Sequence, residues 1–307
     1  MAKRRPVLKL NEGDPSEQRL YYLPHYVAAE RGFFADAGLD VVFTRTASGG
    51  ETIRGGQIPA VLSGEADLTI GGPMVTMKML EENSAHLVNI CAAVRTHPWF
   101  ILSRRPMPAF VWDDLRGSTV IDLARIGTAT FTFTALLQER GLADAVTLVP
   151  ASLPEDEALA AFAGGEGDFA IQHLHAAGPA LERGTIFAVQ DLARPTGPVP
   201  WSAYIALPDV VEQRRADFRA FVHAMDRAFS WIAGHAGSDI AALVGDRFPN
   251  LPQPAMAKAI DLYRNVDLWP SDRQIAEPDF KRFSDLLIRS GWLSAPAPYS
   301  MLVRDPG

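Results

Sequence analysis

Two blocks of this chain occur twice, in the same order. AVLSGEADLTI (60–70) and AFAGGEGDFAI (161–171) share Ala, Gly, Glu, Asp and Ile at identical spacing. Upstream of each, ERGFFADAGLDVVF (30–43) is matched by ERGLADAVTLV (139–149). A Gly-Glu-x-Asp turn before a strand is a common helix-to-strand junction by itself. Two matched blocks in one order point instead to a repeated unit, each copy reading helix, strand, helix, strand. Two similar lobes are therefore expected.

Hydrophobic patterning extends this reading. PVLKL, VVFTRT, DLTI and LVNICAAV read as strands, with helices over 20–37, 52–65 and 74–82 between them. The alternation predicts an α/β fold with mostly parallel sheet. The first lobe is expected to cover 1–105 plus 200–307, and the second 106–199. RRPMP near Arg105 and ARPTGPVP (193–200) read as the two crossings. After Trp201, YIAL reads as a strand and the remainder as helices that return to the first lobe. Phe218, Phe221, Val222, Met225, Phe229 and Ile232 form one apolar helix face. Ser238 suits an N-cap, Pro278 a first helical turn and Gly291 a C-terminal cap.

Bulk properties narrow the partners. At 307 residues, the chain can bury one large core or two smaller ones. A hydrophobic content of 48% with 21% charged residues is that of a globular protein. The net charge of −7 argues against nucleic acid or an anionic membrane as partner. No stretch reaches the ~18 apolar residues of a membrane span. The start, MAKRRPVLKLNEGD, is basic, but Lys9 and the polar run 11–14 interrupt any apolar core of a signal peptide. As written the chain is expected in the cytoplasm, and in the periplasm if an export signal is missing from it. Cys91, the single cysteine, sits in an apolar run and is expected to be a buried, inert thiol.

The segments LPHYVAAERGFFADAGLDVVF, LSGEADLTIGGP, VRTHPWFILSRRP and DDLRGSTVIDL, with the tail LYRNVDLWPSDRQIAEPDFKRFSDLLIRSGWL, resemble the SsuA/THI5 (NMT1-like) solute-binding proteins. The likeness covers nearly the whole chain in order. It implies a type 2 periplasmic-binding-protein fold: two Rossmann-like α/β lobes, two crossing strands and a ligand in the cleft. It also implies a small anionic or heteroaromatic ligand and an ABC permease as partner.

Ligands in open α/β folds gather at the carboxyl ends of strands and between domains. After the first strand come Ser16, Tyr21, Tyr22 and His25, and after the second come Ser48 and Gly49. Gly71, Gly72, Pro73 and Met74 follow the third strand and open a helix. Glycines there would let ligand oxygens approach unpaired backbone N–H groups at a positive helix end. Gly127, Thr128 and Thr130 offer the same chemistry with added hydroxyls in the second lobe. Gln172, His173 and His175 follow the strand DFAI, at the place the repeat assigns to Gly72 and Met74. His97 and Trp201 lie on the candidate crossings. For each group the plainer reading is structural: a tight turn, a helix cap or a packed ring.

A His-x-His pair can bind metal, but no third ligand is recognisable, so no metal is expected. GEGDFA (165–170) has dinucleotide-loop spacing yet precedes a strand, and no nucleophile elbow, phosphate loop or zincin motif is present. No cofactor is expected. The pyridoxal-phosphate lysine and reactive histidine of pyrimidine synthases of this superfamily would align with Gly71 and Val75. The catalytic cysteine of its sulfinate desulfinases would fall in 11–16, which has none. The leading expectation is a small-molecule binding protein that works by lobe closure. The alternatives are an enzyme on the same scaffold, using His97, His173 or His175 as acid or base, and a ligand-sensing regulator. The regulator lacks a DNA-binding helix pair ahead of the first strand.

Overall fold

The computed structural model describes residues 4–14, 19–47 and 57–307. The first strand, β1 (Val7–Asn11), buries Leu8 and Leu10 completely and turns Lys9 outward. A short 3₁₀ turn (Leu20–Tyr22) then leads into helices α1 (Leu23–Glu30) and α2 (Phe33–Asp36). The helix expected over 20–37 is therefore broken at Arg31 and Gly32. Next come β2 (Asp40–Thr44), α3 (Gln57–Ser63), β3 (Leu68–Gly71), α4 (Pro73–Glu81) and β4 (Val88–Val94). A second series follows: β5 (Trp99–Ser103), β6 (Thr119–Asp122), α5 (Gly127–Glu139), β7 (Thr147–Pro150), α6 (Glu155–Gly164), β8 (Phe169–His173), α7 (Leu174–Glu182) and β9 (Phe187–Asp191). The last part comprises α8 (Ala193–Thr196), β10 (Ser202–Ala206), α9 (Pro208–Gln213), α10 (Arg215–Gly234), α11 (Gly237–Val244), α12 (Gln253–Arg264), α13 (Glu277–Arg289) and α14 (Tyr299–Leu302).

The strands form two five-stranded sheets, β2-β1-β3-β10-β4 and β7-β6-β8-β5-β9. The order is the same in both: three parallel strands, one reversed strand, then a last strand in the original direction. The fold is thus two similar α/β lobes, the architecture the internal repeat demands. The reversed strands β5 and β10 are the ones that enter each sheet from the other.

The chain leaves the first sheet after Val94 and joins the second at Trp99, ahead of the Arg105 boundary read from the sequence. The apolar run WFILS pairs antiparallel with β8 and β9, so it belongs to the second sheet. The return runs between Asp191 and Ser202. The two passages are tied together. Val199 N–H donates to Arg95 O at 2.8 Å, and the Thr96 hydroxyl reaches Ala193 O and Gly197 O at 3.0 and 2.8 Å.

The apolar face of α10 packs on α1 and α2, with Phe221 stacked on Phe34 at 5.3 Å. The later helices reach further than the first lobe. α12 lies against α7, where the Tyr263 hydroxyl accepts from Leu174 N–H at 3.0 Å, and α13 lies against α5. Pro278 stands in the first turn of α13 and Gly291 just past its end, as expected. Ser238 is not an N-cap. The helix starts one residue earlier, at Gly237, whose N–H is capped by Asp261 Oδ1 of α12 at 2.8 Å. A Cβ at Gly237 would lie 2.3 Å from Ala257 O, so the close approach of α12 sets the start.

A buried polar network anchors the loop after β1. Glu12 bonds His25 Nε2 at 3.0 Å and Arg45 Nε at 3.1 Å, and His25 Nδ1 meets the Tyr204 hydroxyl at 3.2 Å. Burial pushes the Glu12 carboxyl up, but His25, Tyr26 and Arg45 outweigh it and hold the group at about 2. A carboxylate lowered from 4.5 to about 2 contributes stability that is complete above about pH 4.5 and lost as pH falls to about 2. The contribution is on the order of 3 kcal/mol. Denaturant unfolding between pH 5 and 2 should therefore show a loss of that order, and Glu12→Gln should flatten it. An equally steep decline in the variant would assign the acid sensitivity elsewhere.

Candidate functional site

Two helix starts face each other between the lobes. In the first lobe β3 ends at Gly71, Gly72 is the extended residue before the helix, and Pro73 opens α4. Proline at the first helical position costs no bond, because that N–H has no intrahelical acceptor. In the second lobe β6 ends at Asp122, and a short loop leads to Gly127 at the start of α5. Asp122 shapes this loop. It accepts from Arg125 N–H at 3.0 Å and from the Thr130 hydroxyl. Burial raises its carboxyl against the pull of those donors. The Thr128 hydroxyl, nine-tenths buried, lies 2.9 Å from Met74 Sδ across the cleft. A Cβ at Gly72 would come within 3.1 Å of Thr128 Oγ1 and 3.6 Å of Trp201 O. The glycine is what lets the two helix starts come this close.

The space enclosed here is about 30 Å³, room for a very few waters. Its polar lining is Arg19, Gln57, Tyr22, Ser202 and Thr128, with Ile58, Val75, Ile126 and Ile205 between them. Arg19 Nη1 donates to the Tyr22 hydroxyl at 3.4 Å, which lies 3.2 Å from Ser202 Oγ. No carboxylate is among the described lining residues. A guanidinium, hydroxyls and the first turns of α4 and α5 set several N–H and O–H donors around the cavity.

Of the residues singled out in the sequence, Tyr21, Tyr22, Gly71, Gly72, Met74, Gly127, Thr128 and Trp201 line this cavity. Pro73 is buried beside it as the first residue of α4. Thr130 turns its hydroxyl away, to Asp122 and to Ile126 O. His25 belongs to the Glu12 network inside the first lobe. Ser16, Ser48 and Gly49 lie outside the described residues. Gln172 is buried, bonding Glu155 at 2.8 Å and its neighbour's N–H at 2.8 Å. Both ring nitrogens of His173 are engaged. Nδ1 caps α7 through Ala176 N–H, and Nε2 lies 3.0 Å from Glu155. His175 stacks on His173 with centroids 3.8 Å apart. Among the described residues, no group of three His, Cys, Asp or Glu is placed to hold a metal ion.

Behind the cavity the rings form one cluster. Tyr21 contacts His173 and His175 at 6.1 and 5.7 Å, Trp99 contacts His173 at 5.8 Å, and His97 contacts Trp99 and Trp201 at 6.0 and 4.1 Å. His97 is fully buried, and that burial lowers its imidazole to about 3. Cys91 is also fully buried, on β4 and away from the cavity lining, and desolvation raises its thiol well above the usual range.

The sequence reading missed Arg19, Gln57, Ile58, Val75, Ile126, Ser202 and Ile205. Arg19 was within reach of that reading, as a cation in the loop after β1 where an anion site was expected. Ser202 and Ile205 were not, because nothing local shows that β10 inserts beside β3.

Residues 20–237 match the family model described as NMT1/THI5 like. The chain belongs to that family. It is 22% identical over 287 residues to the Bacillus subtilis protein named "Putative binding protein YtlA", across 92% of this chain and 84% of that one. The periplasmic aliphatic sulphonate binding protein SsuA from Escherichia coli superposes with a TM-score of 0.73 at 16% identity, covering 98% of this chain and 92% of that one. The alkanesulfonate-binding protein SsuA from Xanthomonas axonopodis pv. citri, bound to MOPS, gives 0.69 at 14% identity, covering 99% and 100%. The fold is that of the periplasmic binding proteins.

Gly72→Val is expected to block this closed arrangement. Its methyl groups would meet Thr128 and the Trp201 carbonyl, an overpacking cost on the order of 1–3 kcal/mol confined to the closed form. Small-angle scattering should show a larger radius of gyration than for the wild type, with little change in melting temperature. An unchanged radius would mean that Gly72 does not set the approach of the lobes.

Proposed function

We propose that this member of the NMT1/THI5-like family is a solute-binding protein that closes its lobes on a small anion of sulfonate or carboxylate type. The observation that carries the reading is the cavity itself. Arg19 and the first turns of two helices from different lobes meet there, with no carboxylate among the described lining residues. Unpaired N–H groups near the starts of α4 and α5 would bond the oxygens. The guanidinium would supply charge, and Ile58, Val75, Ile126 and Ile205 would surround a short apolar portion. The names of the relatives, a binding protein and two sulfonate-binding proteins, support the same class of ligand.

In this reading, residues up to Val94 together with 202–244 move as one lobe and 99–191 as the other, while α12 and α13, which lie against α7 and α5, bridge the two. The hinge is at 95–98 and 192–201, where the two passages bond each other. The bound form would be the one presented to an ABC permease. No chemistry on the ligand is needed. Glycine and valine stand where the pyrimidine-synthase likeness would place a lysine and a histidine, and Cys91 is sealed from the cavity.

Calorimetry with ethanesulfonate, propanesulfonate and the corresponding carboxylates tests this. At least one should bind and be recovered unchanged. Arg19→Gln should weaken binding roughly tenfold to a hundredfold, the worth of a charge-assisted hydrogen bond. Thr128→Asp, which puts a carboxylate at the start of α5, should abolish it. Binding indifferent to both substitutions would refute the site, and steady release of a product would refute the binding role.

A further inference from the structure

Behind the cavity wall, two buried ring donors have no hydrogen-bond partner among the described residues. His97 and Trp99 flank the first hinge passage, and both side chains are fully buried. His97 Nδ1 accepts the Trp99 backbone N–H at 3.3 Å. In the neutral imidazole the proton must then sit on Nε2, which makes that atom a donor. Among the described residues neither His97 Nε2 nor Trp99 Nε1 has a partner. The Ala129 backbone is near enough to favour the charged imidazole slightly, but no hydrogen bond of ordinary geometry forms. A buried donor left unpaired is costly, and native proteins keep such groups where another molecule satisfies them.

The position of the pair indicates which molecule. The His97 ring packs on Trp201 at 4.1 Å, and Trp99 packs on His173, which contacts Tyr21. Trp201 and Tyr21 are themselves lining residues of the anion cavity. The unused donors are therefore one ring behind the cavity wall. They are uncharged and set among flat apolar faces, so they match a neutral acceptor on a planar group far better than a second anion.

We propose that this pair forms a second subsite, where His97 Nε2–H and Trp99 Nε1–H donate to an uncharged acceptor atom of the solute. The subsite rests on the anion reading above and adds to it. The solute is bifunctional, with an anionic head at Arg19 and the helix starts, and a neutral ring nitrogen, carbonyl or ether oxygen at the hinge. Tyr21 and Trp201 form the wall between the two ends and would turn aside when the longer solute enters.

Benzenesulfonate and the three pyridinesulfonates differ only by exchange of a ring CH for an acceptor nitrogen. Titrated into the wild-type protein, at least one pyridinesulfonate should bind about tenfold or more tighter than benzenesulfonate, as one added hydrogen bond would give. Trp99→Phe keeps a flat ring and removes the donor. It should abolish that preference, so that all four ligands bind the variant within about threefold of one another, and circular dichroism shows that the variant is folded. His97→Phe should do the same and serves if Trp99→Phe does not fold. Equal affinity for all four ligands in the wild type would overturn the subsite while leaving the anion reading intact. So would a preference that survives both substitutions. No binding of any of the four, with alkanesulfonates bound, would also overturn it, whereas failure of every sulfonate and carboxylate would remove the anion reading and the subsite together.

Discussion

Two helix starts from different lobes meet at the centre of this protein. The starts of α4 and α5 each carry a partial positive charge, and closure brings them together beside the Arg19 guanidinium. In the proposed reading an anion placed between the helix starts is held from both lobes at once. This is the switch. An anion binds the closed form far better than the open one and so shifts the population towards closure, with no need of any other device.

The remaining structure holds that switch in place. A Cβ at 72 would come within 3.1 Å of Thr128 Oγ1, so glycine suits the close approach of the helix starts. The two passages between the sheets are bonded to each other. The C-terminal helices supply the outer frame. α10 is fastened to the first lobe, while α12 and α13 lie against helices of the second. Just beyond α13, Trp292 stacks on Phe131 of α5 at 4.8 Å, and its indole N–H points to Met74 O of α4 at 3.5 Å. One side chain thus touches both helices whose starts form the site.

Much of this was readable from residues in order. The duplicated blocks required two like lobes, and the strand-Gly-Gly-Pro-helix junction located one wall of the cavity. Gly127 and Thr128 located the other. What stayed hidden depends on strand order. WFILS is apolar enough to sit in either sheet, so residue order alone does not show that it pairs with β8 and β9. Ser202 and Ile205 enter the site only because β10 inserts beside β3, a long-range pairing with no local signature. The histidines show the limit of residue type as a guide. His25 and His173 satisfy carboxylates and a helix start, and His97 lies buried in the hinge, so none of the three lines the cavity.

A crystal structure of the protein with a bound alkanesulfonate tests the central claim most directly. The expected result is a sulfonate between the lobes, its oxygens within hydrogen-bond distance of Arg19 and of backbone N–H groups at both Met74 and Gly127 or Thr128. A sulfonate held by one lobe alone, or on the outer face of either sheet, would contradict it.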